Sequence, residues 1–236
     1  MNTRNSSLPR HSRSPKRTGT VTQLVASKRR PERVNVFVDG EFAVQVHIDI
    51  ISKHRVCKGM VLSEETADAL LSDKRRQRVR QLAFAYVSFK PRTEKQVRDR
   101  LARKEFTEEE IDEAMEFCEE FGLIDDVSFA RMYVRDALTL RSLSPSRLRS
   151  DLVRKGVARE VAEEAVRAGF GEEDVSRIAL DAAIRKQRAV AYRTPEKQRA
   201  VVVSFLQRRG FSWTVIRSVM SAVFSEDANG SHDDAY

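Results

Sequence analysis

Apolar residues follow two arrangements along the chain, short β-prone runs near the start and helical spacing further on. The runs cover residues 21–26, 34–38 and 41–46, with Asp39-Gly40 between the last two. Asp-Gly between two such runs is a strong hairpin signal. Residues 48–53 and 63–72 have helical character, with Ser63 as the N-cap of the second segment. We therefore predict a small N-terminal β-hairpin with helices over residues 21–73.

After Lys74 the spacing of apolar residues is helical, interrupted by Ser/Thr-Pro and Gly signals every dozen or so residues. Thr93 with Gln96, and Thr107 with Glu110, each fit the capping box that begins a helix. Two Pro-containing pairs predict further helix starts with a hydroxyl N-cap and Pro at the first helical position. These pairs are Ser144-Pro145 and Thr194-Pro195. The remaining body is predicted to be entirely helical.

A repeat is visible when these helical segments are aligned. The aligned apolar positions are Val97, Leu101 and Phe106, then Leu148, Leu152 and Val157, then Val202, Leu206 and Phe211. A basic pair recurs inside each unit, as Arg103-Lys104, Arg154-Lys155 and Arg208-Arg209. About 50 residues per unit accommodates three helices of ordinary length. We predict a mainly α protein of three tandem three-helix repeats, an elongated curved array, over residues 74–122, 123–170 and 171–224.

The amino-acid composition predicts the size of the core, the class of binding partner and the state of the two tails. The chain has 236 residues, of which 41% are hydrophobic, enough for one or two ordinary cores without metal or disulfide support. Trp213 is expected in the third core with Ile216, Val219, Met220 and Val223. A formal net charge of +8 suggests an anionic partner such as nucleic acid. Residues 1–20 contain no acid and predict a disordered basic tail, whereas residues 225–236 predict a disordered acidic one.

Several classes of protein are not expected from this sequence. No apolar run approaches the ~20 residues that cross a bilayer, and no signal peptide is recognisable, so we expect a cytoplasmic protein. Cys57 and Cys118 lie in no zinc or disulfide pattern. Asp125-Asp126 fits helix capping better than metal binding, and His47 and His54 fit no catalytic triad. No phosphate-binding glycine loop occurs, so neither catalytic residues nor a cofactor are predicted.

Clusters of cations are the candidate contact sites, although each is also compatible with a solvated helix surface. The densest is at residues 74–80, and a second continues through residues 141–155. The candidate partner-binding or DNA-binding residues are Lys74, Arg75, Arg76, Arg78, Arg80, Arg98, Arg103, Lys104, Arg141, Arg147, Arg149, Arg154 and Lys155. In the third repeat, further cations bracket Tyr192 in an arrangement compatible with nucleic-acid contact. These are Arg185, Lys186, Arg188, Arg193, Lys197 and Arg199.

Residues 122–130, with the sequence GLIDDVSFA, resemble the signature of the RecX family. Residues 92–97 and 147–157 are similar to that family's first-repeat and second-repeat patterns, in the same order and spacing. The hairpin segment, with RVNV at residues 33–36, is similar to the extension of longer members. Two departures are Glu105, where the first repeat often has Gly, and Ser144-Pro145, which replaces a Gly-containing approach. Both departures concern the geometry of local turns and not membership of the family.

The resemblance implies a regulator without chemistry of its own. It implies binding to the recombinase RecA and the RecA–DNA filament, and inhibition of filament growth, ATP hydrolysis and strand exchange in homologous recombination, DNA repair and the SOS response. Direct contact with single-stranded or double-stranded DNA is also expected, with no membrane partner, and we expect a monomer. The alternative is a direct DNA-binding protein built of units like helix-turn-helix modules. A nuclease is disfavoured because no metal–carboxylate cluster is apparent.

Overall fold

The structure is a computed structural model that describes residues 17–170 and 175–225. Most of the two predicted tails, residues 1–16 and 226–236, lies outside the described residues. At their inner ends the structure differs from the prediction. Gly19 and Thr20 begin a β-strand because they pair with the strand Val61–Leu62, and Ser225 is the last residue of a helix.

The described chain divides into two compact units. One contains the residues up to Leu82 together with Thr107–Ala114, and the other contains Ala83–Phe106 and the residues from Met115 onward. The helix expected at residues 63–72 continues much further, so the domain division suggested at residue 73 falls inside it. The structure is mainly helical, with a small antiparallel sheet near the N-terminus, as the sequence predicts.

The first unit contains a four-stranded antiparallel sheet in the order β3-β2-β1-β4. The strands are β1 (Gly19–Ala26), β2 (Arg33–Val38), β3 (Glu41–His47) and β4 (Val61–Leu62). The predicted hairpin is confirmed, with Asp39 and Gly40 both at positive φ between β2 and β3. The strand β4 was not predicted. Valines of the sheet, such as Val36, pack with Leu70 and with Ile50 of helix α1 (Ile48–Lys53) in one core.

The remaining elements are helices. They are α2 (Glu64–Phe89), α3 (Glu94–Ala102), α4 (Glu108–Glu120), α5 (Asp126–Arg141), α6 (Pro145–Arg154), α7 (Arg159–Phe170), α8 (Val175–Ala189), α9 (Pro195–Arg208) and α10 (Trp213–Ser225). The second and third repeats are α5–α7 and α8–α10, and each has its own apolar core. No helix in the described part of the chain is long and apolar enough to cross a membrane.

The repeated apolar positions form these cores. Eight of the nine aligned residues are buried, and Phe106 is half-buried. The prediction for Trp213 is wrong, because its side chain is 54% exposed at the first position of α10. Ile216, Val219 and Val223 supply the buried face of that helix instead.

Helix capping follows the sequence closely. The Thr93 and Thr107 capping boxes are both formed, and Ser144 Oγ accepts the N–H of Arg147 at 3.2 Å. Ser63 Oγ accepts the N–H of Thr66, which confirms it as the cap of α2. Thr194 is the exception. Pro195 lies in the first turn as predicted, but the Thr194 side chain makes no capping hydrogen bond.

Consecutive middle helices are tied by two hydrogen bonds of the same kind, each from a capping hydroxyl to a backbone carbonyl. Thr93 Oγ1, at the start of α3, donates to the carbonyl of Lys155 at the end of α6, at 2.6 Å. Ser144 Oγ, at the start of α6, donates to the carbonyl of Gly210 just after α9, at 2.7 Å. We call these contacts repeat joints. Each hydroxyl also caps its own helix, so one side chain both begins a helix and attaches the next repeat.

A glycine at positive φ closes each joint. A Cβ on Gly156 would overlap the side chain of Lys95, and a Cβ on Gly210 would lie 2.7 Å from the Cβ of Arg147. The two φ angles, +101° and +83°, also disfavour residues with a side chain. Glycine is therefore required at these positions both by the backbone and by the close approach of the neighbouring repeat.

Candidate anion-binding site

The densest predicted cluster, at residues 74–80, lies on α2 and is partly neutralised within its own unit. Arg75 donates to both carboxylate oxygens of Glu110, at 2.5 and 2.9 Å, and Arg76 lies 3.2 Å from a carboxylate oxygen of Glu113. The hydrogen bond from Arg75 lowers the pKa of Glu110. Two of the five cations thus stabilise the protein's own acids.

The other members of this cluster differ from one another. Burial, with the nearby charges of Arg33 and Arg78, lowers the pKa of Lys74. Arg78 and Arg80 are exposed on α2. Contact of this cluster with a partner stays a prediction. Any charge reversal at Arg75 or Arg76 would also place like charges against Glu110 and Glu113.

The predicted cations of the first repeat make local contacts. Arg98 pairs with Glu94 one helical turn earlier, at 2.8 Å, and Arg103 Nε donates to the carbonyl of Asp99. Lys104 is exposed just beyond the end of α3. The Arg98–Glu94 pair is partly exposed to solvent, and ion pairs near the surface contribute little to stability.

In the second repeat, Asp151 forms ion pairs with two of the predicted cations. Its carboxylate is buried, only 5% of the residue is exposed, and it lies 3.2 Å from Arg147 Nε and 2.7 Å from Arg154 Nη2. Tyr133 also donates a long hydrogen bond of 3.4 Å to it. Arg147 and Arg154 therefore compensate a buried charge, whereas Arg149 Nε is directed to the carbonyl of Pro145.

The two remaining predicted cations of the second repeat, Arg141 and Lys155, line a pocket at the first repeat joint. The pocket has a volume of about 350 Å³. Its other cations are Lys90 and Arg92, which precede α3, and its single acid is Asp136. We call it the first joint pocket. It brings together cations from three separate parts of the chain.

Aromatic rings hold these cations in place. Lys155 Nζ lies 5.3 Å from the centre of the Tyr133 ring, and the guanidinium of Arg141 lies 5.9 Å from it. Arg92 is stacked 4.2 Å above the ring of Tyr86. Burial lowers the pKa of Lys155, and the neighbouring cations Lys90, Arg154 and Arg141 act in the same direction while Asp151 opposes them.

The first joint pocket has the chemistry of an anion site. Four side chains with N–H donors surround the space, and no described carboxylate forms a salt bridge with any of them within 4.0 Å. An anion bound there would relieve the repulsion of Lys155 by Lys90 and Arg141, which adds to the effect of burial in lowering the pKa of Lys155. Sequence reasoning missed Lys90, Arg92 and Tyr133. Arg92 could have been identified from the sequence, since it directly precedes the capping residue Thr93.

The other candidate groups have structural roles. Asp125 caps α5 by accepting the N–H of Ser128 at 2.9 Å, so the capping interpretation is confirmed. Hydrogen bonds from the side chain and then the backbone of Ser128 lower the pKa of Asp125. Asp126 accepts the N–H of Glu94 at the start of α3. His47 accepts the N–H of Asp49, and His54 lies 2.8 Å from Asp73. Among the described residues, no group of three potential metal ligands is assembled.

Comparison with known proteins gives consistent matches along the chain. Residues 19–63 match the model "Regulatory protein RecX N-terminal domain", and residues 80–118 and 125–166 match the first and second three-helix domains of RecX. A "Regulatory protein RecX" of Clostridium botulinum (strain Alaska E43) is 30% identical over 85% of this chain and 94% of its own length. Another, from Clostridium beijerinckii, is 26% identical over 89% of this chain and 98% of its own.

Two solved structures share the fold. The crystal structure of a regulatory protein RecX has a TM-score of 0.63 at 24% identity, covering 85% of this chain and 98% of that one. The structure of RecX from Lactobacillus salivarius has a TM-score of 0.51 at 21% identity, covering 63% of this chain and 96% of that one.

Proposed function

Because the chain belongs to the RecX family of regulatory proteins, we propose that it binds the recombinase RecA and the RecA–DNA filament. In this proposal it limits filament growth, ATP hydrolysis and strand exchange during recombination and DNA repair. It acts in the cytoplasm as a monomer and contributes no reaction of its own. The resemblance of residues 122–130 to the family signature and the domain matches support this role.

The first joint pocket is the structural observation that best supports contact with the filament. A RecA–DNA filament presents phosphates, and phosphate contacts from Lys and Arg dominate affinity for nucleic acid. Arg141 and Lys155 occur in the pocket without a carboxylate partner among the described residues. The exposed cations Arg78, Arg80 and Lys104 are further proposed contacts.

The test is DNA-dependent ATP hydrolysis by RecA, with this protein titrated from far below to equal stoichiometry and its own ATPase measured alone. We expect inhibition well below equimolar ratio if the protein blocks filament ends. The double variant Arg141→Ala/Lys155→Ala is expected to need at least tenfold more protein for half-inhibition. Arg135→Ala is the matched control, because Arg135 is exposed on the same helix and lies outside the pocket.

Two outcomes would contradict separate parts of the proposal, namely the regulatory role and the role of the first joint pocket. Absence of inhibition at any ratio, together with equally tight binding to naked DNA and base-specific protection in a footprint, would favour a direct DNA-binding protein. Full inhibition by the double variant would leave the regulatory role intact but remove the first joint pocket from it.

A further inference from the structure

A second basic pocket lies at the second repeat joint. It has a volume of about 430 Å³ and contains the cations Arg185, Lys186 and Arg209. Its lining residues include no acid. We call it the second joint pocket. None of its cations belongs to the contact set of the proposed function.

The two joint pockets are built from equivalent parts of consecutive repeats. Lys155 and Arg209 occupy the same position of the repeat, 54 residues apart, directly after α6 and α9. Residues just before the hydroxyl cap of the preceding middle helix form another wall, Lys90 and Arg92 in one pocket, Ser142 in the other. The first helix of the following repeat, α5 or α8, completes each pocket.

The two pockets also share two electrostatic features, a ring beside the central cation and a lowered pKa of that cation. Lys155 lies over the ring of Tyr133, and Arg209 lies 4.3 Å from the ring centre of Phe205. Burial is the main cause that lowers the pKa of both side chains, and Arg185 adds to the effect at Arg209. Arg185 itself donates to the hydroxyl of Ser142 at 2.8 Å. Within the described chain no carboxylate forms a salt bridge with Arg185, Lys186 or Arg209.

The same structural device that joins the repeats therefore also places a cluster of cations. In the first joint the hydroxyl of Thr93 binds the carbonyl of Lys155, and it therefore holds Lys155 itself against the neighbouring repeat. In the second joint the hydroxyl of Ser144 binds the carbonyl of Gly210, and it therefore holds the preceding residue, Arg209, in the same way. A site that recurs with the repeat suits a ligand that is itself periodic. The phosphodiester backbone is such a polyanion, with one negative charge per nucleotide along each strand.

We propose that each repeat joint carries one phosphate-binding pocket, so that the two joint pockets bind two phosphate groups of the nucleic acid backbone. This proposal rests on the proposed function for the origin of the nucleic acid, namely the recombinase filament. Lys155 and Arg209 are the central contacts, supported by Lys90, Arg92 and Arg141 in one pocket and by Arg185 and Lys186 in the other.

The test is a salt titration of binding to a single-stranded oligonucleotide without RecA, compared among wild type, Lys155→Ala, Arg209→Ala and the double variant. Each phosphate contact contributes roughly 0.7 to the slope of log K against log salt for single strands. We expect the slope to fall by about 0.7 in each single variant and about 1.4 in the double variant, by the same relation.

Two exposed cations close to the pockets serve as matched controls. Arg135 lies on α5, the helix that carries Arg141, and Arg208 is the neighbour of Arg209; neither lines a joint pocket. Arg135→Ala and Arg208→Ala are expected to leave the slope close to wild type. Circular dichroism and thermal unfolding establish that every variant is folded. Inorganic phosphate, added as a competitor, is expected to weaken wild-type binding more than chloride at equal ionic strength.

An unchanged slope in Arg209→Ala, or equal losses in the two controls, would overturn the proposal. Loss of binding to RecA without DNA, with the DNA slope unchanged, would mean that the pockets contact an acidic protein surface instead. Because the titration contains no RecA, its result is independent of the regulatory role. Normal inhibition with unchanged slopes would remove only the joint pockets, and the expected slopes without any inhibition would remove only the regulatory role.

Discussion

The hydroxyl of Thr93 donates to the carbonyl of Lys155, which is 62 residues further along the chain, while accepting the N–H of Gln96 in its own helix. Thr93 is fully buried, so water cannot replace either hydrogen-bond partner of its hydroxyl unless the surrounding structure rearranges. Loss of this hydroxyl removes a helix cap and leaves a carbonyl unsatisfied. The residue therefore determines both where α3 begins and how the second repeat attaches to it.

We predict that Thr93→Val lowers the free energy of unfolding by about 2–3 kcal/mol, combining a lost cap with an unpaired carbonyl. Thr93→Ser keeps the hydroxyl and is expected to cost less than about 1 kcal/mol, because only a methyl group is lost. Urea denaturation followed by circular dichroism measures both. A larger loss in Thr93→Ser than in Thr93→Val would mean that packing of the methyl group, not the hydroxyl, stabilises the joint.

Gly156→Ala is expected to destabilise the protein by more than 2 kcal/mol, because αL strain of roughly 1 kcal/mol adds to the overlap with Lys95. Gly122→Ala is the matched control. Gly122 also has a positive φ, but an added Cβ would meet nothing within 4 Å, so only the strain is expected. Thermal unfolding compares the variants. A result in which both lose the same stability would show that the close approach at the joint contributes nothing.

Glu105→Gly is predicted to stabilise the protein by about 0.5–1 kcal/mol. Glu105 adopts a φ of +61°, a conformation that glycine reaches without steric penalty. Glu105→Ala retains the positive φ and removes the carboxylate, and it therefore measures any interaction of that carboxylate separately. Chemical denaturation is suitable for both. A glycine variant no more stable than the alanine variant would contradict the strain argument.

The pair formed by Arg75 and Glu110 predicts a dependence of stability on pH. The hydrogen bond from Arg75 lowers the pKa of Glu110 below its usual value of 4.5, so the stabilisation is present above that pH and disappears as the pH falls through the lowered pKa. Glu110→Gln is expected to lose about 0.5–1 kcal/mol at neutral pH, a modest value because Arg75 is half exposed.

The control for this pair is Glu109→Gln, at an exposed position on the same turn of α4. Thermal midpoints measured from neutral to acidic pH are expected to fall more steeply in wild type and in the control than in Glu110→Gln. Parallel curves for all three proteins would show that the ion pair with Arg75 does not contribute to acid sensitivity.

Features governed by neighbouring residues were predictable from the sequence. The two capping boxes, the Ser144 cap and the Asp39-Gly40 turn each depend on residues within a few positions of one another, and all are formed. The length of α2 was underestimated although residues 64–89 contain neither Gly nor Pro. The run of cations there was interpreted as the entrance to a repeat, whereas no residue in it ends a helix.

The candidate site could not be predicted in full, because it is formed by contacts between residues that are far apart in the sequence. Arg75 and Glu110 are 35 residues apart, and nothing near either residue indicates the other as its partner. Arg141 and Lys155 were predicted as cations, but the pocket also needs Lys90 and Arg92 from the preceding repeat. The exposure of Trp213 was missed because helical spacing identifies a buried face only to within about one residue at the end of a helix.

The chemistry of the repeat joints affects how a gene duplication could add a repeat to the chain. The middle helix α6 carries a hydroxyl donor at its start, Ser144, and a carbonyl acceptor directly after its end, Lys155, with Gly156 next to the acceptor. An in-frame gene duplication of residues 144–193 therefore supplies both halves of a new attachment in a single event. Copying this one segment would lengthen the chain by a repeat without requiring a new kind of interface.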